Sequence, residues 1–262
     1  MPNKSNKIKS VRAVDRAIEI LRAFSGEKPS MSVLEIQKEV RLSRPTVYRL
    51  LDTLASHGLI RAHGTPQRFS LDYGVGLLAQ NWVAGLDPIA VGRPILKRLQ
   101  EDTRETIGLN IVRGHQYVCA LELPGPHALS MSRGIGPRDQ LARGAGGKAI
   151  LAFMTEKEIE AILRSAPKGL DKKALLEDLA AVRRDKFSAT RGEIFVGAVG
   201  IAAPYFDHTD HVAGSIIVTA AEARFSEDRI IKTARRVVES AVELSAALGH
   251  VAVRQVQKPA AR

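Results

Sequence analysis

The sequence predicts a mainly α winged helix-turn-helix at the N-terminal end, followed by an α+β domain built on an antiparallel sheet. Three observations predict it. Residues 12–54 repeat apolar side chains at helical spacing in three short stretches, and a strand–turn–strand pattern follows at 59–72. From about residue 106 the chain changes to strand-like runs interrupted by helical ones. The charge is uneven too: of a net +11, residues 1–75 supply more than half, from 13 Lys and Arg against 7 Asp and Glu. Such basic density points to a polyanionic partner.

Taken in order, "RAVDRAIEILRAF" (12–24) puts Val14, Ala17, Ile18, Leu21 and Phe24 on one face, and Gly26 and Pro29 stop the helix. In "SVLE", Ser32 caps and Glu35 reaches back to it, so a capping box opens a second helix at about 33–40. Leu34, Ile36 or Gln37, and Val40 are its inward candidates. "RLS" is the turn. Ser43 caps the third helix, and Pro45 falls in the first turn, where its missing N–H is harmless. Val47, Leu50, Leu51 and Leu54 form the inward stripe, and Gly58 ends the helix. Strands at 59–62 and 68–72 flank a Gly-Thr-Pro turn and make the wing. The boundaries expected are 11–73 for this domain, 74–85 for a linker helix and 86–250 for the second domain, with flexible tails at 1–10 and 251–262.

In the second domain, Asp87 opens a helix that runs to about Thr103. Strand runs are expected at 107–113, 116–122, 128–133, 193–206 and 211–220. "KAILAFM" is helical, Thr155 with Glu158 offers a second capping box, and 172–186 is an amphipathic helix. Ser226 caps a long closing helix whose first turn is acidic, as the helix dipole favours. The helices are expected on one side of the sheet.

The third helix is polar where it starts and apolar along one side. A recognition helix needs both, because its N-terminal residues face base edges while its stripe holds it to the other helices. Arg44 and Arg49 suit guanine or phosphate, Ser43, Thr46 and Tyr48 supply hydroxyls, and Arg68 on the wing, beside Gln67, is placed to touch backbone or minor groove. Any one of them reads also as a solvated side chain, and Tyr48 as a packing residue. Cap, turn length, wing and charge together predict double-stranded DNA as the partner.

The stretches "AVDRAIEIL" (13–21), "LSRPTVYRLLDTLASHGLI" (42–60), "RFSLDYGVGLL" (68–78), "GGKAILAF" (146–153), "RGEIFVGAVGIAAPYFD" (191–207) and "VAGSIIV" (212–218) resemble, in order and spacing, the IclR family of bacterial transcriptional regulators. The resemblance covers about residues 11–249. It implies a GAF-like effector-binding second domain, operator DNA, a small organic effector, and a homodimer or homotetramer. It places backbone contacts to the effector at Ala145 and Gly146, and pocket side chains at Thr190, Gly200, Ile217 and Thr219. Relatives that hold small oxo acids use acidic, thiol and hydroxyl groups there, whereas only the two threonines are polar here. A roomier, more apolar cavity disfavours a tiny acid, whose desolvated groups go unpaired. It suits a larger aromatic or aliphatic body with one carboxylate, for which Arg133 and Arg143 are candidate helpers that also read as surface charges.

Other constellations carry less. "RGAGGKAI" lacks the phosphate-loop spacing, with Ala142 where the first glycine belongs and Ala149 where a hydroxyl belongs. Its glycines read instead as a loop whose N–H groups face a ligand at a helix N-terminus. "DHTDH" (207–211) reads as a polar hairpin turn before a metal site, and the other histidines are scattered. Neither G-x-S-x-G nor a Cys/His pair nominates a nucleophile. Cys119, the single cysteine, reads as buried packing and fits a reducing cytoplasm. No apolar run approaches a membrane span, and the basic start has no signal-peptide core. No enzyme activity, cofactor, metal or membrane association is expected. The competing class is a metabolite sensor or enzyme whose winged helix serves as a protein-interaction module. Leu77, Leu78 and Trp82 of the linker are expected to be covered by a partner subunit.

Overall fold

Three helices, α1 (Arg12–Ala23), α2 (Val33–Val40) and α3 (Arg44–Ser56), pack around Ile20, Ile36, Val47 and Leu51, each almost wholly buried. The strands β1 (Ile60–His63) and β2 (Arg68–Leu71) pair antiparallel from Ile60↔Leu71 to His63↔Arg68 and form the wing. Met31 adds a bridge to Phe69, with reciprocal N–H···O bonds of 2.9 and 2.7 Å. Helix α4 (Tyr73–Ala84) follows. The computed structural model describes residues 10–165 and 169–251, and the chain divides into two compact units after Gly85. The tails at 1–9 and 252–262 lie outside the described residues.

Local signals set these helices. Ser32 Oγ accepts from the Glu35 N–H, and the Glu35 carboxylate accepts from the Ser32 N–H at 2.7 Å, so the capping box forms as the sequence predicts. Ser43 takes the N-cap position of α3 but makes no cap; its hydroxyl lies 2.8 Å from that of Thr46. The buried faces of α1 and α2 are turned from those expected. In α1 the buried residue is Ile20, beside Ala17, Leu21 and Phe24, while Val14 and Ile18 are exposed. In α2, Val33 and Ile36 go inward and Leu34 stays in solvent. A helix of eight residues offers one narrow face, and Val33, Ile36 and Val40 share it at i, i+3, i+7.

The second unit runs α5 (Pro88–Thr103), β3 (Thr106–Arg113), β4 (Gln116–Leu123), β5 (Arg138–Gln140), α6 (Gly144–Leu151), α7 (Glu156–Ser165), α8 (Lys172–Asp185), β6 (Ser188–Arg191), β7 (Ala198–Phe206), β8 (Val212–Ala221) and α9 (Glu227–Ala247). Its six strands form one antiparallel sheet in the order β5-β4-β3-β8-β7-β6. One face carries Ile107, Leu109, Ile201 and Ile216 against α5 and α9. The other carries Ala202 and Ile217 against Ala145 and Ala149 of α6, with α7 and α8 beyond in a second cluster.

Four expectations change here. Helices cover both faces of the sheet, because the strands are apolar at odd and even positions alike. Residues 128–133 form no strand: the edge of β4 is taken by β5, and Leu129 is exposed. Residues 193–197 are a turn bounded by Gly192 and Gly197, both at positive φ, and the hairpin it closes includes β6, which the sequence did not suggest. Helix α6 starts at Gly144, so the glycines form its first turn rather than a preceding loop. The "DHTDH" stretch is the expected β7–β8 turn, with Asp207 accepting from the backbone and hydroxyl of Thr209.

Candidate functional site

The first unit presents α3 with Arg44 and Arg49 exposed and Thr46 and Tyr48 half-buried near its start. Val47, Leu51 and Leu54 anchor the opposite side in the core. The Arg44 guanidinium lies 5.7 Å from the centre of the Tyr48 ring. This i, i+4 pair restrains the guanidinium near the ring, which leaves it less rotamer freedom to lose on binding. Tyr48 is half-buried beside Arg44, with its hydroxyl 3.5 Å from the Arg44 Nη2.

Arg68, on the wing strand β2, also has partners within the unit that the sequence did not suggest. Its guanidinium donates to Ser30 Oγ at 3.1 Å, to the Ser30 carbonyl at 2.7 Å and to Glu35 at 3.0 Å. Glu35 is the capping-box acid, so Arg68 ties the wing to the start of α2. These bonds use Nε and Nη2, and Nη1 stays available on a side chain that is 40% exposed. Arg68→Ala is expected to lower stability by about 1–2 kcal/mol in thermal unfolding. Its effect on DNA affinity at folded temperatures should stay below that of Arg49→Ala; equal losses with an unchanged melting temperature would make it a DNA contact after all.

In the second unit, a recess with about 80 Å³ of free volume lies on the α6 face of the sheet. Ala145, Thr190, Gly200, Ile217 and Thr219, five of the six residues nominated from the resemblance, line it. Register explains why: Gly200 pairs with both Thr190 and Thr219, and Ala202 with Ile217, so alternate positions of β6, β7 and β8 share this face. A Cβ at Gly200 would stand 3.3 Å from that of Ala145 and 3.5 Å from Ile217 Cδ1, so glycine keeps this floor open. Gly146 is not in the lining. A Cβ there would meet Asn110 Nδ2 at 2.7 Å, and its carbonyl accepts from Ser215 Oγ at 3.1 Å, which seats α6 on the sheet.

The N–H groups at the start of α6 also differ from expectation. Gly144 N–H donates to Glu193 Oε2 at 3.0 Å and Ala145 N–H to Thr190 Oγ1 at 3.1 Å. Two of the N–H groups at this helix terminus thus have side-chain partners within the unit.

The sequence missed the opposite wall: Asn110, Tyr117, Cys119, Glu122 and Asp139, with Met131 from one loop and Ile194 and Phe195 from another. Arg133 also lines it, whereas Arg143 donates to the Glu193 carbonyl at 3.0 and 2.6 Å and stays outside. Cys119 is half-buried at the recess rather than core packing. Burial, with Glu122 nearby, pushes its thiol up to about 11, and burial likewise raises the Tyr117 phenol. Both stay neutral at ordinary pH. Lys148 behaves differently: burial lowers its pKa, but hydrogen bonds to Asp178 (2.7 Å) and Glu193 (2.6 Å) outweigh that and leave it raised.

Comparison with known proteins agrees with both units. Residues 13–64 match the IclR helix-turn-helix domain, and residues 80–246 match the family described as bacterial transcriptional regulator IclR C-terminal. The chain is similar to the HTH-type transcriptional regulator KipR of Bacillus subtilis (strain 168), 25% identical over 91% of this chain and 98% of that protein. It is also similar to the HTH-type transcriptional regulator KdgR of Escherichia coli (strain K12), 28% identical over 92% and 94%. In fold it resembles the crystal structure of Pseudomonas aeruginosa HmgR, with a TM-score of 0.83 and 20% identity over 93% of this chain and 100% of that one. The two family-model matches, which together span most of the chain, make it a member of the IclR family: a ligand-responsive, DNA-binding transcriptional regulator.

Proposed function

We propose that Ser43, Arg44, Thr46, Tyr48 and Arg49 read the operator, and that the recess takes an organic acid with an aromatic or medium-length aliphatic body. The observation that carries the ligand class is the floor formed by Gly200, Ile217 and Ala145. That floor gives an apolar body a packing surface and itself carries no side-chain polar group for a two- or three-carbon acid. Thr190 and Thr219 supply hydroxyls. Residues 11–73 are assigned to DNA, 74–85 to the linker and 86–250 to the effector. Regulator and operator meet in the cytoplasm, and among the described residues no helix is long and apolar enough to cross a membrane.

The active species is proposed to be a homodimer or homotetramer. Helix α4 supports this, because its 12 residues include no charged one and Leu77, Leu78 and Trp82 are exposed. The ligand class is tested by screening small oxo acids against aromatic and medium-chain acids, reading thermal stabilisation and release of operator DNA. The larger acids are expected to raise the melting temperature and change DNA binding. Stabilisation by two- and three-carbon acids alone would overturn this ligand class.

A further inference from the structure

We infer that Arg133 determines the charge specificity of the recess: it exchanges an internal partner, Asp139, for the carboxylate of the effector. This rests on the ligand class proposed above. Four side chains of charged type line the recess, and three of them, Glu122, Asp139 and Glu193, are acids. If all three were equally free, they would repel a carboxylate. Their hydrogen bonds set them apart.

Glu122 is fully engaged. It accepts from Ser132 Oγ at 2.8 Å, from the Arg133 N–H at 2.9 Å and from the Gly134 N–H at 2.7 Å, which pins this loop to β4. Glu193 accepts from Lys148 and from the Gly144 N–H, which pins the 192–197 turn to α6. Both acids serve as anchors: Glu193 has the Lys148 cation beside it, and Glu122 is held by neutral donors. Asp139 is different, because it sits on the short edge strand β5 and its ion-pair partner is the Arg133 guanidinium, with the Tyr117 phenol beside it. Among the described residues, it is the one ion pair between two side chains of the lining.

Arg133 is built to change partner. Its backbone is fixed on Glu122, so its position does not depend on its side chain. Its guanidinium lies 5.4 Å from the centre of the Phe195 ring, across the recess from its own loop. A guanidinium carries five N–H donors in a planar fork that matches a carboxylate, and Asp139 accepts one hydrogen bond from it here. A bound acid can place its carboxylate on that fork and its apolar body against Phe195, Met131 and Ile217. A neutral analogue cannot replace Asp139, since it offers the guanidinium no charge. Asp139 therefore keeps Arg133 paired when no acid is bound and sets a threshold that only an anion crosses.

The test uses the full chain, titrated with phenylacetate, benzoate and octanoate, their amides, and phenethylamine as a cationic control. The strongest-binding acid is carried into the variants with its amide. Arg133→Gln is expected to weaken that acid by about 10–100-fold, the loss of a charge-assisted hydrogen bond. It should leave the amide within about threefold of wild type, showing that the recess is intact. Asp139→Asn, which removes the competing charge, should tighten the acid and leave the amide unchanged. If the acid binds Arg133→Gln as it binds wild type, the inference falls while the ligand class stands. If acid and amide bind wild type equally, it also falls. Should none of the acids bind wild type, or phenethylamine bind in preference, the ligand class fails and takes this inference with it.

Discussion

Arg44→Ala and Arg49→Ala are each expected to weaken operator binding by about 1–3 kcal/mol, relaxing specificity at one base pair if the lost contact was to a base edge. A phosphate contact would instead lower affinity for all sequences and reduce the salt dependence by about one counterion. The two outcomes separate in a fluorescence titration at several salt concentrations, using the operator and a scrambled duplex. Both side chains are exposed, and Val47, Leu51 and Leu54 hold the helix from its other side, so neither change disturbs the core. Arg44 should show the larger base-specific loss, since Tyr48 orders its guanidinium beforehand. Lys172→Ala, an exposed change at the start of α8, serves as a charge control and should leave affinity unaltered. Unchanged binding by both arginine variants would remove the recognition role from α3.

What the sequence made legible is what local chemistry decides. The capping boxes at Ser32/Glu35 and Thr155/Glu158 form as read, because each needs only residues three apart. The N-caps Asp87 and Ser226 also accept the expected backbone N–H groups. The recess was half legible. Its floor follows from strand alternation and from the resemblance, but β4 carries a register shift opposite Leu109/Asn110. Cys119 pairs with Asn110 and Leu121 with Leu109, so Cys119 faces the recess, whereas Leu121, two residues on, faces the other core. A bulge reverses the phase of a strand, and no periodicity in "YVCALEL" announces it. Arg68 shows a second limit: its hydrogen bonds to Ser30 and Glu35, distant in sequence, leave no mark in the sequence around the wing. The strand at 188–191 escaped because a four-residue edge strand carries too few side chains to set a pattern.

Substituting Leu78→Glu together with Trp82→Glu is expected to have the largest effect on operator binding of any change away from α3. These side chains are 63% and 47% exposed on a helix that carries no charge, so the double variant keeps the fold of its own unit and alters only what can cover it. Two glutamates brought against an apolar partner surface must be desolvated without a counter-charge, which costs several kcal/mol and disfavours assembly. A dimer binds a two-half-site operator with the second contact made intramolecular, worth about 10²–10⁴ in affinity, and a monomer forfeits that gain. The variant should therefore sediment as a smaller species and lose affinity for the full operator. Its affinity for a duplex carrying one half-site should stay near that of wild type, because α3 is untouched. That contrast identifies the defect as assembly rather than recognition. Sedimentation identical to wild type, or equal losses on full and half operators, would mean that α4 is not the subunit interface.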